Sequence, residues 1–276
     1  HFLAVSSNRE GMADFGIHKD KQFYISDWVG GRFSITSAMG LPLACMIGMD
    51  NFYRFLDGAR LMDMHFKNAS FDLNMPVILA MLSVYYTNFH NVQSQAIICY
   101  GDRLTHFTDF VRQLHMESLG KRTKIDSSPV NVDTGNVIWG GSGSDGQHSY
   151  FQLLHQGSYT IPIDFIVDAG VSDDQMDTYS LANCLAQSES LMTGMQEADP
   201  ERSIDGDKPN NVILVNKLSP QYIGQLVALY EHKVFVQSII YGINAFDQYG
   251  VELGKKIAQS LSKVISKSSR YTGKNP

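Results

Sequence analysis

The chain has 276 residues, with 22 Lys+Arg against 28 Asp+Glu and a formal net charge of −6. At 43% hydrophobic and 18% charged residues, the composition is that of a globular protein, not a disordered one. The length suits one large or two modest domains. The mild acidity, without a basic stripe, speaks against a nucleic-acid partner, and the short lysine-rich stretches at 121–124 and 263–274 read as solvated segments. The longest apolar run, 75–86, holds Pro76 and Ser83 and falls short of the ~20 residues a membrane span needs. No signal-peptide pattern opens the chain. Cys45, Cys99 and Cys184 are far apart and read as reduced, buried thiols of a cytoplasmic protein. The chain starts His1-Phe2-Leu3 without an initiating Met, which reads as excision from something longer.

In chain order, residues 2–6 and 23–29 read as strands, the second running into Gly30 and Gly31. Residues 34–66 are apolar-periodic and fit two abutting helices. Residues 76–88 form a buried helix with Pro76 in its first turn, where the missing N–H costs nothing. Residues 95–99 are a strand, and 105–119 an amphipathic helix with Thr105 as N-cap. Strands follow at 136–139, 161–167 and 211–216, and helices at 147–155, 179–193, 220–243 and 248–266. The Asp-, Pro- and Gly-rich stretch 197–210 is a surface loop. Short apolar strands alternating with helices predict an α/β domain with a largely parallel sheet. Ligands in such sheets sit beyond the C-terminal strand ends.

Gly141, Gly143 and Gly146 form a G-x-G-x-x-G pattern between a predicted strand and helix, with Asp164 and Asp168 near the next strand. Three readings stay open for it: a dinucleotide loop, a site for another anion, or a plain tight turn. Gln147 and His148 come directly after the glycines, where a dinucleotide loop normally has small or apolar residues. On the predicted helix 147–155, His148 lies at the N-terminal end, where the helix dipole disfavours imidazolium and suits a neutral proton-transfer group. His155 falls on a similar face. Gln113 and Glu117 are one turn apart on one face of the helix 105–119, which offers a carboxylate base at a helix end or an ordinary surface Glu. Arg32 follows Gly30 and Gly31. It is a fixed fork of donors suited to an oxyanion, or a partner for Asp27 or Asp50. Gln248, Glu252 and Lys255 share one face of the last predicted helix, either as a polar site or as a Glu252–Lys255 ion pair. No His or Cys spacing supports a metal site.

Longer motifs add to this. DWVGGRFSITSAMG at 27–40, INAFDQYGVELGK at 243–255, VIWG at 137–140, GQHSYFQLLHQG at 146–157 and YEHKVFVQ at 230–237 together resemble the glucose-6-phosphate isomerase (phosphoglucose isomerase) family over about residues 1–265. The resemblance implies a three-layer αβα sandwich of the sugar-isomerase (SIS) type. Residues 1–45 would be the trailing edge of a first such domain, 46–245 a second one, and 246–276 a C-terminal helix and tail. It implies a cytoplasmic, homodimeric aldose–ketose isomerase of glycolysis and gluconeogenesis that interconverts glucose 6-phosphate and fructose 6-phosphate through a cis-enediolate, with no metal or redox cofactor. Glu117 would be the base, Arg32 the stabiliser of the enediolate, and His148 with Lys255 the ring-opening pair, His148 being supplied in trans. Gly31, Gln113 and Gln248 would hold the substrate. The family's N-terminal half, with its phosphate loops, has no counterpart here, so the chain alone is expected to be inactive. Two alternatives compete: an NAD(P)-binding oxidoreductase built on the Gly141 loop, and a non-catalytic sugar-phosphate-binding module.

Overall fold

The computed structural model describes residues 2–170 and 175–272, apart from the side chains of 267–272. The far end of the predicted basic tail lies outside the described residues. β1 (Ala4–Ser6) pairs in parallel with β2 (Gln22–Tyr24), with α1 (Arg9–Asp14) between them. β2 is shorter than predicted, because the chain turns at 26–29, where the Val29 N–H donates to the Ser26 carbonyl at 3.0 Å. The next segment forms the two predicted abutting helices, α2 (Leu41–Ile47) and α3 (Met49–Asn68). They part at Gly48, whose φ of +81° only glycine adopts readily. α4 (Met75–Phe89) has Pro76 in its first turn as expected, and the Asn74 side chain caps it.

The main sheet contains β3 (Ser94–Tyr100), β4 (Val137–Ser142), β5 (Ile163–Asp168) and β6 (Asn210–Val215) in the order β4-β3-β5-β6, with every neighbouring pair parallel. Side chains alternate between its faces. Ile97 and Cys99 of β3, with Ile138, Ile166 and Val215, pack under α3, α5 (Phe107–Leu119) and α9 (Pro220–Tyr241). Ala96, Ile98 and Tyr100, with Ile163, Phe165 and Val167, pack under α7 (Phe151–Gln156) and α8 (Gln175–Thr193). The result is the expected three-layer αβα sandwich. Cys99 and Cys184 are buried as predicted, whereas Cys45 is exposed. This body ends at Ala245. Residues 246–272 form a second one, with a 3₁₀ turn (Tyr249–Val251) leading into α10 (Glu252–Thr272). Among the described residues, no helix is long and apolar enough to cross a membrane.

Candidate active site

α5 carries two of the predicted site residues. Its start differs from the sequence expectation. The Thr105 hydroxyl donates to the Asp102 carbonyl at 2.6 Å and closes a 3₁₀ turn (Asp102–Leu104), so the α-helix begins only at Phe107. Val111, Leu114, Ser118 and Leu119 form its buried face. Gln113 and Glu117 line the outer face, and the Gln113 amide donates to Glu117 Oε2 at 3.2 Å.

Arg32 meets this pair from 85 positions earlier in the chain. The predicted setting for Arg32, at the end of a strand, is not what forms: a 3₁₀ turn (Gly31–Phe33) carries it. Its side chain is 1% exposed, and Nη1 lies 3.2 Å from Glu117 Oε2, whose side chain is 28% exposed. Nε donates to the Ser118 hydroxyl at 2.7 Å, and Nη2 donates to the Ala245 carbonyl. Neither Asp27 nor Asp50 is the partner that pairs with this guanidinium. Gly31 is exposed, with open space where a Cβ would stand. A buried cation held on several sides thus abuts a carboxylate that solvent reaches from one side. Such an arrangement has a proton acceptor and a preorganised oxyanion donor within one ligand's reach.

His148 lies elsewhere. The Ser142 hydroxyl accepts from the Asp145 N–H at 3.4 Å and starts a short helix, α6 (Gly143–Gln147), inside the glycine loop. His148 is therefore the C-cap of α6, not the first turn of a helix, and the helix-start dipole argument for its protonation does not apply. His155 belongs to α7 and pairs with Gln187 at 2.7 Å, so the two histidines do not share a face. α5 runs antiparallel to its sheet. Its last turn packs beside Gly135, just ahead of β4, and the Thr134 hydroxyl donates to the Lys121 carbonyl at 2.7 Å. His148 follows the other end of β4. The Arg32–Glu117 pair and His148 thus stand at opposite ends of β4, about 15–20 Å apart along the strand. Arg32 and Glu117 lie away from the C-terminal strand ends, where ligands were expected to gather.

The dinucleotide reading of the glycine loop is also overturned. A Cβ on Gly143 would meet the Tyr100 ring, and one on Gly146 the Tyr150 ring, so the protein itself fills the space that small residues leave. Both oxygens of Asp168 are taken by backbone N–H groups, Gly170 at 2.9 Å and Leu218 at 2.7 Å. Asp164 is fully buried among Gln95, Asn211, Tyr230 and Lys233. Neither acid faces a ribose.

Gln248 and Lys255 belong to the second body. Gln248 precedes the 3₁₀ turn with a non-helical backbone, so the predicted shared helical face with Glu252 and Lys255 does not form. Lys255 lies exposed in the first turn of α10. Sequence reasoning missed Ser118 and Lys121. Both adjoin Glu117 in sequence, which was the available signal.

The comparisons with known proteins agree with the resemblance. The phosphoglucose isomerase family model matches residues 1–276. The chain is 49% identical to a glucose-6-phosphate isomerase of Pseudomonas fluorescens (strain SBW25), covering 95% of this chain and 51% of that protein. It is 48% identical to the one from Pseudomonas syringae pv. syringae (strain B728a), with the same coverage. The chain thus spans about half the length of the curated relatives it matches. A crystal structure of a glucose-6-phosphate isomerase from Chlamydia trachomatis superposes with a TM-score of 0.90 at 36% identity, over 96% of this chain and 53% of that one. A hypothetical protein of Thermus thermophilus, TT0462, shares the fold at a TM-score of 0.72 and 22% identity. On the motifs, the sheet order and the family match over residues 1–276 together, the chain belongs to the phosphoglucose isomerase family.

Proposed function

We propose that this chain is the catalytic C-terminal portion of an isomerase that interconverts glucose 6-phosphate and fructose 6-phosphate through a cis-enediolate. The observation that carries the reading is the buried Arg32 guanidinium 3.2 Å from the partly exposed Glu117 carboxylate. Moving a proton between C2 and C1 of a sugar needs a base beside the carbon and a fixed positive charge where the enediolate oxygen develops. Glu117 is the base, and Arg32 stabilises the enediolate. Gln113 orients Glu117 and lines the site with the exposed backbone of Gly31. Lys255 and His148 open and close the sugar ring, and Gln248 holds the substrate. The placement of Glu117 and His148 at opposite ends of β4 favours a homodimer in which each site takes His148 from the neighbouring subunit. An oxidoreductase has no use for this pair, and a pure sugar-phosphate binder has no need of a base.

In this reading, residues 1–45 close a first sugar-isomerase domain, 46–245 are a second, and 246–276 are a C-terminal helix and tail. The protein acts in the cytoplasm, in glycolysis and gluconeogenesis, and the half of the relatives that this chain does not span supplies the phosphate grip. The test is a coupled isomerase assay of the full-length protein and its Glu117→Gln variant. The variant loses turnover while keeping affinity for a sugar-phosphate inhibitor. Unchanged turnover in Glu117→Gln refutes the assignment.

A further inference from the structure

The last turn of α5 presents carbonyls that no helical N–H can reach, a setting that favours a cation. Lys121 fills it. Its Nζ donates to the carbonyls of Glu117 at 3.1 Å, Ser118 at 2.8 Å and Asn244 at 3.0 Å. The Lys121 backbone is pinned too, since its N–H donates to the Leu119 carbonyl at 2.7 Å and its own carbonyl accepts from Thr134.

The residues Lys121 grips are those that set Arg32. Ser118 supplies the hydroxyl that receives Arg32 Nε, and Ala245, the residue after Asn244, supplies the carbonyl that receives Nη2. One ammonium group therefore joins the helix end bearing Glu117 and Ser118 to the segment bearing Ala245. Arg32 is the second bridge between the same two pieces. A compact ammonium suits this, because the three carbonyls converge on one nitrogen.

We infer that Lys121 is a positioning residue for the Arg32–Glu117 pair, an inference that rests on the isomerase reading above. It acts through backbone carbonyls: it fixes where Ser118 and Ala245 stand, and they fix the guanidinium against the carboxylate. A misplacement of about 1 Å in such a pair costs on the order of a hundredfold in rate.

The experiment compares Lys121→Met with the parent in the full-length protein, measuring kcat and KM for fructose 6-phosphate in a coupled assay. The expected result is a fall in kcat of about tenfold to a hundredfold with KM held within about twofold, the mark of a transition-state effect and not of lost substrate binding. A kcat within about twofold of the parent overturns the inference, as does a raised KM at constant kcat, which would make Lys121 a substrate ligand. If Lys121→Met does not fold, Lys121→Gln, which keeps two donors, decides on the same criteria. Glu117→Gln in the same series separates the two levels. If it stays active, the isomerase reading falls. If it is dead while Lys121→Met keeps its kcat, only the role of Lys121 falls.

Discussion

Glu117 and His148 stand at opposite ends of strand β4 of the parallel sheet, one at the end of α5 beside the start of β4, the other beyond its end. Six residues of strand, ~20 Å, separate those two ends. The same topology gathers Arg32, Gln113 and Glu117 at one point. The proposed mechanism divides along that line, with proton transfer between carbons on one chain and ring opening helped by another.

Arg32→Lys tests whether the guanidinium's fork matters as well as its charge. One ammonium cannot meet Ser118, Ala245 and Glu117 with Arg32's geometry. The expected loss in kcat is about 10²–10³-fold with a small change in KM, read in the coupled assay. Retained activity would mean that charge alone suffices.

Glu117→Gln keeps the size of the side chain and an oxygen for Gln113, but removes the base. The expected loss is about 10²–10⁴-fold in kcat, with melting unchanged within a few degrees by calorimetry. A large drop in melting temperature would show that the carboxylate is chiefly a structural partner of buried Arg32.

Lys233→Met probes the core. Lys233 Nζ lies 3.4 Å from Asp164 Oδ2, and the two side chains are 1% and 0% exposed. Removing the cation leaves a buried carboxylate with only neutral partners, Gln95, Asn211 and Tyr230. The expected cost is about 3–5 kcal/mol of stability by denaturant titration. The double variant Lys233→Met/Asp164→Leu should recover part of it, and no recovery would count against charge burial as the cause.

One buried and one half-buried group give the stability a pH profile. Burial, helped by the charge of Lys233, lowers the pKa of His115 from 6.5 to about 3. The unfolded chain takes up this proton first, so stability is lost as pH falls from about 6.5 towards about 3. Burial, helped by the charge of Asp63, raises the pKa of Glu231 from 4.5 to about 8. Its folded form keeps the proton longer, so stability is lost as pH rises from about 4.5 to about 8. Glu231→Gln should therefore melt higher than the parent at pH 8.5 and alongside it at pH 4.5. Parallel melting curves at both pH values would remove Glu231 from the profile.

Much of the fold was legible in the sequence. Strand segments such as Ile97–Cys99 and Phe165–Val167 are wholly apolar because both faces of the sheet are covered, and the intervening helices carry clear punctuation at Asn74-Met75-Pro76 and Ser219-Pro220. The Gln113–Glu117 pair could be read from helical periodicity. The partner of Arg32 could not, because periodicity is local and Glu117 reaches it only through tertiary folding. His148 was misplaced for a specific reason: the Ser142 hydroxyl caps a turn that starts within the glycines, so the helix ends where it was expected to begin. Asp164 stood in the strand after the glycine loop with nothing local to mark its role. Only the arrival of Lys233 from α9 shows it to be a core group.

The placement of His148 in trans is tested most directly by complementation. Full-length Glu117→Gln and His148→Asn chains, each inactive alone, are co-expressed and assayed as mixed dimers. Half of randomly assorted dimers pair the two variants, and each of those has one site built from an intact Glu117 and an intact His148. The expected activity is about one quarter of the parent's. Activity no greater than that of either variant alone would contradict a shared site and return both residues to a single chain.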